Sequence, residues 1–145
     1  MRSTLDWEIL LERANAARKV AYAPYSQYAV GAALLTAGGR MFAGCNVENA
    51  SYPAGICAER TAIATMVAAG ERAPIALVIV TRGPEPAAPC GICRQVLAEF
   101  ALDLPILLIA EAEGVEANAE DKPARVLTSL SELLPRAFRG AALQP

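Results

Sequence analysis

The residues best suited to chemistry in this 145-residue chain are three cysteines and one glutamate. They stand in two short segments, Cys57-Ala58-Glu59-Arg60 and, about thirty residues later, Pro89-Cys90-Gly91-Ile92-Cys93. Each segment precedes an apolar helical pattern, so its cysteines should sit at a helix N-terminus, where unpaired N–H groups and the positive end of the helix dipole favour thiolates. Cys90 and Cys93 are spaced i, i+3 and can face one point. Cys57 reaches the same point if the two helices begin side by side, as they would after neighbouring parallel strands. Three thiolates leave the fourth corner of a tetrahedral Zn2+ open to water, the arrangement of a catalytic and not a structural zinc. Glu59 is close enough to reach that corner without binding the metal. A carboxylate there can take a proton from water that zinc has made acidic and then pass it on. Three thiolates and one Zn2+ sum to a net negative charge, which weakens the metal as a Lewis acid. Two helix ends and Arg60, bonded to the thiolates rather than to a substrate, would offset it.

Blander readings compete. Cys90-Gly91-Ile92-Cys93 alone also fits a thioredoxin-like dithiol, but that motif belongs after the first strand of a βαβ unit and leaves Cys57-x-Glu59 idle. A structural four-cysteine zinc would need Cys45, which ends an expected strand and is more naturally a buried free thiol. A lone Glu after a Cys is ordinarily a solvated helix residue; the combined spacing lifts Glu59 above that reading. The chain has no histidine, which removes His-based triads, His general bases and HExxH metalloproteases together.

Composition narrows the setting. A hydrophobic fraction of 54% with 19% charged residues excludes a disordered chain. A formal charge of -2 argues against a surface that grips polyanions, since nucleic-acid affinity rests on Lys and Arg against phosphates. No apolar stretch reaches the roughly 20 residues of a membrane span. Acids near the N-terminus, Asp6 and Glu8, stand where a secretory signal needs a cationic and then apolar run. A cytoplasmic, reducing setting is therefore expected, with the cysteines free to act as ligands.

The elements that must hold these residues can be read from pattern. Asp6–Tyr22 reads as a helix ended by Pro24. Tyr28–Leu35 and Arg40–Cys45 read as strands joined through Thr36-Ala37-Gly38-Gly39. A loop spans Asn46–Ile56, and Cys57–Ala69 reads as a helix stopped by Gly70. Ile75–Thr81 is a strand apolar on both faces, Gly91–Phe100 a helix, Ile106–Ala110 a second buried strand, and Val126–Thr128 a short last one. Ser129–Leu134 is a short helix ended by Pro135. The acidic, Ala-rich stretch Glu111–Lys122 reads as an exposed loop, since too little chain follows it for a second domain. The order α-β-β-α-β-α-β-β-α predicts one α/β layered domain, residues 1–145, with a mixed central sheet.

The pattern Cys-x-Glu followed by Pro-Cys-x-x-Cys resembles the zinc-dependent nucleobase deaminases, with Cys57 giving the all-thiolate variant. Other segments narrow the match: Ala23-Pro24-Tyr25-Ser26, Val30-Gly31-Ala32-Ala33-Leu34, Gly44-Cys45-Asn46-Val47-Glu48-Asn49-Ala50-Ser51-Tyr52, Cys93-Arg94-Gln95-Val96-Leu97 and Glu132-Leu133-Leu134-Pro135. Together they are similar to the small, homotetrameric class of cytidine deaminases, over about residues 10 to 138.

The resemblance implies a three-layer α/β/α fold around a five-stranded mixed sheet. It implies hydrolytic deamination of free cytidine and deoxycytidine, as in pyrimidine salvage, with one zinc per subunit. It assigns Cys57, Cys90 and Cys93 to the metal and Glu59 to the proton shuttle. Asn46 and Glu48 go to the ribose hydroxyls, Tyr28 to packing on the base, and Phe138 to a neighbouring subunit's site. The backbone at Ala58 would hold the base edge, and Tyr52 would line the substrate site. The residue chemistry agrees for the sugar: Asn46 and Glu48 alternate on an extended segment, so both can face one side. For Asn49, ordinary turn chemistry is as good a reading. The chain departs from the family pattern at Tyr28, at Pro53-Ala54-Gly55, at Arg136 where Gly is common, and in the length of its acidic loop. The rival readings are a deaminase of another aminated nucleoside and, from a different class, a non-catalytic zinc or redox module.

Overall fold

A computed structural model describes residues 5–112 and 122–144. Most of the stretch expected as an acidic loop, residues 113–121, lies outside the described residues. Five strands form one sheet in the order β2-β1-β3-β4-β5: β1 (Gly31–Thr36), β2 (Met41–Cys45), β3 (Pro74–Arg82), β4 (Pro105–Glu111) and β5 (Ala124–Ser129). Only β3 and β4 are neighbours in parallel; the β1–β2, β1–β3 and β4–β5 pairs are antiparallel, so the sheet is mixed.

The two apolar runs read as buried strands are sandwiched because each faces helices on both sides. Ala76, Val78, Val80, Leu107 and Ile109 point to one face, where Leu10, Leu11 and Ala14 of α1 (Trp7–Arg18) cover them. Leu77, Ile79, Ile106 and Leu108 point to the other, under Ala58, Ala62, Ile63 and Met66 of α2 (Ala58–Ala68) and Leu97 of α3 (Gly91–Phe100). The alternation of side chains along each strand does the sorting. The result is the α/β/α layering expected.

Two close approaches set the helices against the sheet. At Gly44 a Cβ would stand 2.4 Å from the Ala62 nitrogen and 2.6 Å from the Ala58 oxygen, so α2 presses its backbone on β2. At Gly31 it would stand 2.0 Å from the Ala14 oxygen, which brings α1 equally close to β1. Neither approach admits a side chain.

Most boundaries fall within one or two residues of the sequence reading; those of α1, β1 and α4 differ for identifiable reasons. α1 stops at Arg18, not Tyr22. Tyr22 leaves the helix because its backbone pairs with the segment after β2: its N–H donates to Asn46 O at 3.0 Å and its oxygen accepts from Glu48 N at 2.8 Å. β1 starts at Gly31, so Tyr28, Ala29 and Val30 lie outside it. The short helix α4 (Leu130–Leu133) begins after Ser129, whose hydroxyl accepts from Glu132 N while the Glu132 carboxylate accepts from Ser129 N, a reciprocal cap. Tyr52–Ala54 forms a 3-10 turn with Pro at its start.

Candidate metal centre and substrate cavity

Cys57 and Cys90 are the N-cap residues of α2 and α3, and neither helix start is capped by a side chain. Both first turns therefore leave N–H groups that no side chain caps at the ends where these cysteines stand. The geometry that joins them differs from the one expected. α2 does not follow a strand adjacent to β3; it follows β2, with β1 lying between. β1 is antiparallel to both, so β2 and β3 run in the same direction and release their chains at the same edge of the sheet. The two helices start side by side for that reason.

The sulfurs of Cys57, Cys90 and Cys93 all lie within 4.8 Å of one another, and Cys57 and Cys90 are 3.8 Å apart. Sulfurs bound about 2.3 Å from one zinc at the tetrahedral angle are about 3.8 Å apart, so the trio fits that ion. No bridge joins them; all four cysteines, including Cys45, are free thiols. Among the described residues Cys45 is outside the group. An Nη2 of Arg60 donates to Cys57 Sγ at 3.5 Å, while its buried Nε has no hydrogen-bond partner.

A hydrogen bond from the Cys93 thiol, helped by Arg60 and Cys90, lowers Cys57 to about 5 against the opposing effect of burial. Its role as donor to Cys57, its burial and the charge of Glu59 push Cys93 up. Of the three sulfurs, Cys57 is thus the one disposed to give up its proton, the form that binds a metal.

Glu59, one residue into α2, is 5% exposed. Burial first, and then the charge on Cys57, raise its pKa. A carboxyl that holds a proton more readily than usual suits a group that must both take and give one.

Glu59 lines a cavity of about 430 Å3 together with Cys57, Ala58, Tyr28, Asn46 and Glu48. Thr81 and Ile79 from the C-terminal half of β3, with Ala87 and Ala88 from the following loop, complete its wall. Sequence reasoning missed these four, along with Ser26 and Val30. A signal existed for Thr81: a polar residue closing an apolar strand marks the carboxyl end of a parallel pair, where α/β proteins bind ligands.

The polar wall is tied down in detail. The Glu48 carboxylate accepts from the backbone N–H groups of Tyr25 and Ser26, each at 3.0 Å, and from the Ser26 hydroxyl. These bonds, the hydroxyl's first, lower its pKa, so it is an anion at neutral pH. Asn46 Oδ1 accepts from Val30 N at 2.9 Å and Nδ2 donates to Tyr28 O at 2.8 Å. One N–H and one lone pair of that amide remain for another partner. Asn49 accepts from Ser51 N, a turn contact.

Two residues expected at the substrate are not brought to this cavity. Tyr52, 77% exposed at the start of its 3-10 turn, packs edge-on against Tyr25, ring centres 6.1 Å apart, in a neighbouring hollow. Phe138, 60% exposed, lies on the C-terminal segment, where Gln95 Nε2 donates to its oxygen at 3.0 Å.

Three sulfurs at two helix ends, a buried acid beside them and a cavity of nucleoside size define a zinc-dependent hydrolase of amino-substituted rings. Comparison with known proteins agrees. A family model described as the cytidine and deoxycytidylate deaminase zinc-binding region matches residues 6–108. A cytidine deaminase of Sporosarcina psychrophila is 41% identical over 135 residues, covering 92% of each chain. The crystal structure of a cytidine deaminase from Burkholderia pseudomallei superposes with a TM-score of 0.80 at 44% identity, over 92% of this chain and all of that one. That of Mycobacterium tuberculosis superposes at 0.72 with 36% identity, over 92% of this chain and 98% of its own. The chain belongs to the zinc-binding cytidine and deoxycytidylate deaminase family, and its cofactor is zinc.

Proposed function

We propose that this enzyme hydrolyses free cytidine and deoxycytidine to uridine and deoxyuridine, releasing ammonia. The observation that carries the proposal is the convergence of Cys57, Cys90 and Cys93 within 4.8 Å at a cavity that Glu59 also lines. Cys57, Cys90 and Cys93 hold the zinc. Bound there, zinc supplies a Lewis acid that brings water toward ionisation near neutral pH. Glu59 accepts a proton as water adds to C4 of the pyrimidine and gives it to N3; it then takes the proton of the new C4 hydroxyl and delivers it to the amino group, which leaves as ammonia as the C4 carbonyl forms. Arg60 offsets the negative charge of the sulfurs through its bond to Cys57.

The rest of the cavity suits a nucleoside. Asn46 and Glu48 present an amide and a carboxylate to the sugar hydroxyls, Tyr28 packs on the base and the Ala58 backbone meets its edge. The anionic Glu48 disfavours a phosphorylated sugar or a flanking strand, which supports a free nucleoside over nucleic acid. No helix among the described residues is long and apolar enough to cross a membrane, in keeping with a cytoplasmic enzyme of pyrimidine salvage.

The chain, 1–145, acts as one catalytic domain in a homotetramer, where the exposed Phe138 reaches a neighbouring subunit's site. Sedimentation at micromolar concentration tests that state, a monomer being the contrary result. The activity is tested by following ammonia release from cytidine, deoxycytidine, dCMP and a short single strand, with and without a zinc chelator. Turnover of the first two that a chelator abolishes is the expected result; turnover of the strand alone would reverse the reading.

A further inference from the structure

The wall of the cavity that carries Tyr28 is not part of any strand. Residues 27–30 run just ahead of β1 without regular structure, and side chains make the bonds a neighbouring strand would otherwise make. Asn46 holds one edge, at Tyr28 O and Val30 N. Ser26 Oγ accepts from Tyr28 N at 3.0 Å. The oxygen of Ala29, between the two Asn46 contacts, points to the opposite edge and accepts from Arg18 Nε at 3.1 Å. Alternate groups of an extended segment face opposite sides, so Asn46 and Arg18 grip the same three residues from two directions.

Arg18 is itself fixed. It ends α1, its side chain is only 17% exposed, and its Nη1 pairs with Glu111 at 2.7 Å, at the end of β4. Glu111 stands in register with Arg82 of β3, and its oxygen accepts from Gly83 N at 3.2 Å. The Arg82 guanidinium lies 5.8 Å over the ring of Tyr28. A line of contacts thus runs from the sheet edge through Glu111 and Arg18 to the backbone of Ala29 and the aromatic wall. Charge-assisted bonds of a planar, half-buried guanidinium to a carbonyl and a carboxylate are strong and directional.

We infer that Arg18, braced by Glu111, is a positioning residue that fixes Tyr28 against the bound nucleoside and so sets substrate affinity, without touching substrate, metal or Glu59. The inference rests on the proposed function in taking the ligand of this cavity to be a nucleoside; the bracing of Tyr28 itself does not. Arg18 stabilises the wall equally before and during reaction, so its loss shows in KM and not in kcat.

The experiment compares the zinc-loaded wild type with Arg18→Met, Tyr28→Ala and the double variant. Arg18→Met should raise KM for cytidine about tenfold with kcat within about twofold, the signature of lost uniform binding. In the Tyr28→Ala background the same change should add nothing to KM, because Arg18 acts only through the placement of the Tyr28 ring. A proportional fall in kcat, or full additivity, overturns the inference. Glu111→Gln, which keeps the Ala29 bond but neutralises the brace, should give a smaller rise in KM and covers the case of a poorly folding Arg18→Met.

A second readout does not depend on turnover. In protein labelled with 3-fluorotyrosine, the 19F line lost in Tyr28→Phe identifies Tyr28. Arg18→Met should shift or broaden that line while those of Tyr22, Tyr25 and Tyr52 stay; an unmoved Tyr28 line rejects the positioning. If wild type leaves cytidine unchanged, the functional proposal fails, and the fluorine spectrum alone decides whether Arg18 positions Tyr28.

Discussion

At the scale of the residue, Glu59 combines the two properties a proton carrier needs: it lines the cavity, yet it is 5% exposed. Replacing it by Gln should leave zinc content unchanged and lower kcat by about three orders of magnitude, in the range one positioned acid–base group supplies. Metal analysis beside steady-state kinetics checks this; near-normal turnover removes Glu59 from the mechanism. The same substitution makes a stability prediction for the metal-free protein. The folded-state pKa of Glu59 lies above its ordinary value of 4.5, so the folded chain binds this proton more tightly than the unfolded chain does. Its contribution to stability is therefore fully present at low pH and is lost as pH rises through the raised value. Thermal midpoints of metal-free Glu59→Gln should gain on wild type as pH rises above the ordinary value of 4.5, where a constant difference would mean the carboxyl carries no such burden.

At the scale of the element, the site exists because α2 lies on β2 without a side chain between them. Gly44→Ala would place a methyl inside the backbone of α2's first turn and a half, at 2.4 Å from Ala62 N. Backbone atoms cannot rotate aside as a side chain can, so the whole helix start must move, carrying Cys57 and Glu59 with it. A loss of about 3 kcal/mol in denaturant unfolding is expected, together with weaker zinc retention. Retention equal to wild type would show that the loop after β2, not the packing of α2, sets the position of Cys57. A second local prediction concerns the turn after α4. Arg136 has φ +60, a left-handed conformation that a side chain makes unfavourable. Arg136→Gly relieves it and should raise stability by up to about 1 kcal/mol, read as a higher denaturation midpoint at unchanged m-value. A fall in the midpoint would mean that contacts of the arginine outweigh the strain.

At the scale of the whole molecule, zinc should act as a clamp between layers of the sequence that are far apart. Cys57 begins one helix and Cys90 and Cys93 belong to another, and both helices cover the same face of the sheet. Removing the metal should lower the thermal midpoint, and adding Zn2+ back should restore it while Mg2+ does not, because thiolate donors select the softer ion. An unchanged midpoint would mean the helices are held by packing alone. The order of elements, the sandwiched strands β3 and β4, and the cysteine–glutamate constellation could all be read along the chain. Each depends on local chemistry: apolar runs, breakers such as Gly70 and Pro135, and residues two or three positions apart. The limits of α1 and β1 could not be read this way, because Tyr22 and Tyr28 follow partners distant in sequence. The same is true of the cavity walls at Thr81, Ala87 and Ala88, of the contact from Arg18 to Ala29, and of the outward placement of Tyr52 and Phe138. A sequence specifies which groups are available and how neighbours are spaced; which distant groups meet depends on how strands pair and how closely helices approach them. That is why the amino-acid order alone supplied the three cysteines and the glutamate, while the sheet, by sending β2 and β3 out at one edge on either side of β1, decided that they would meet.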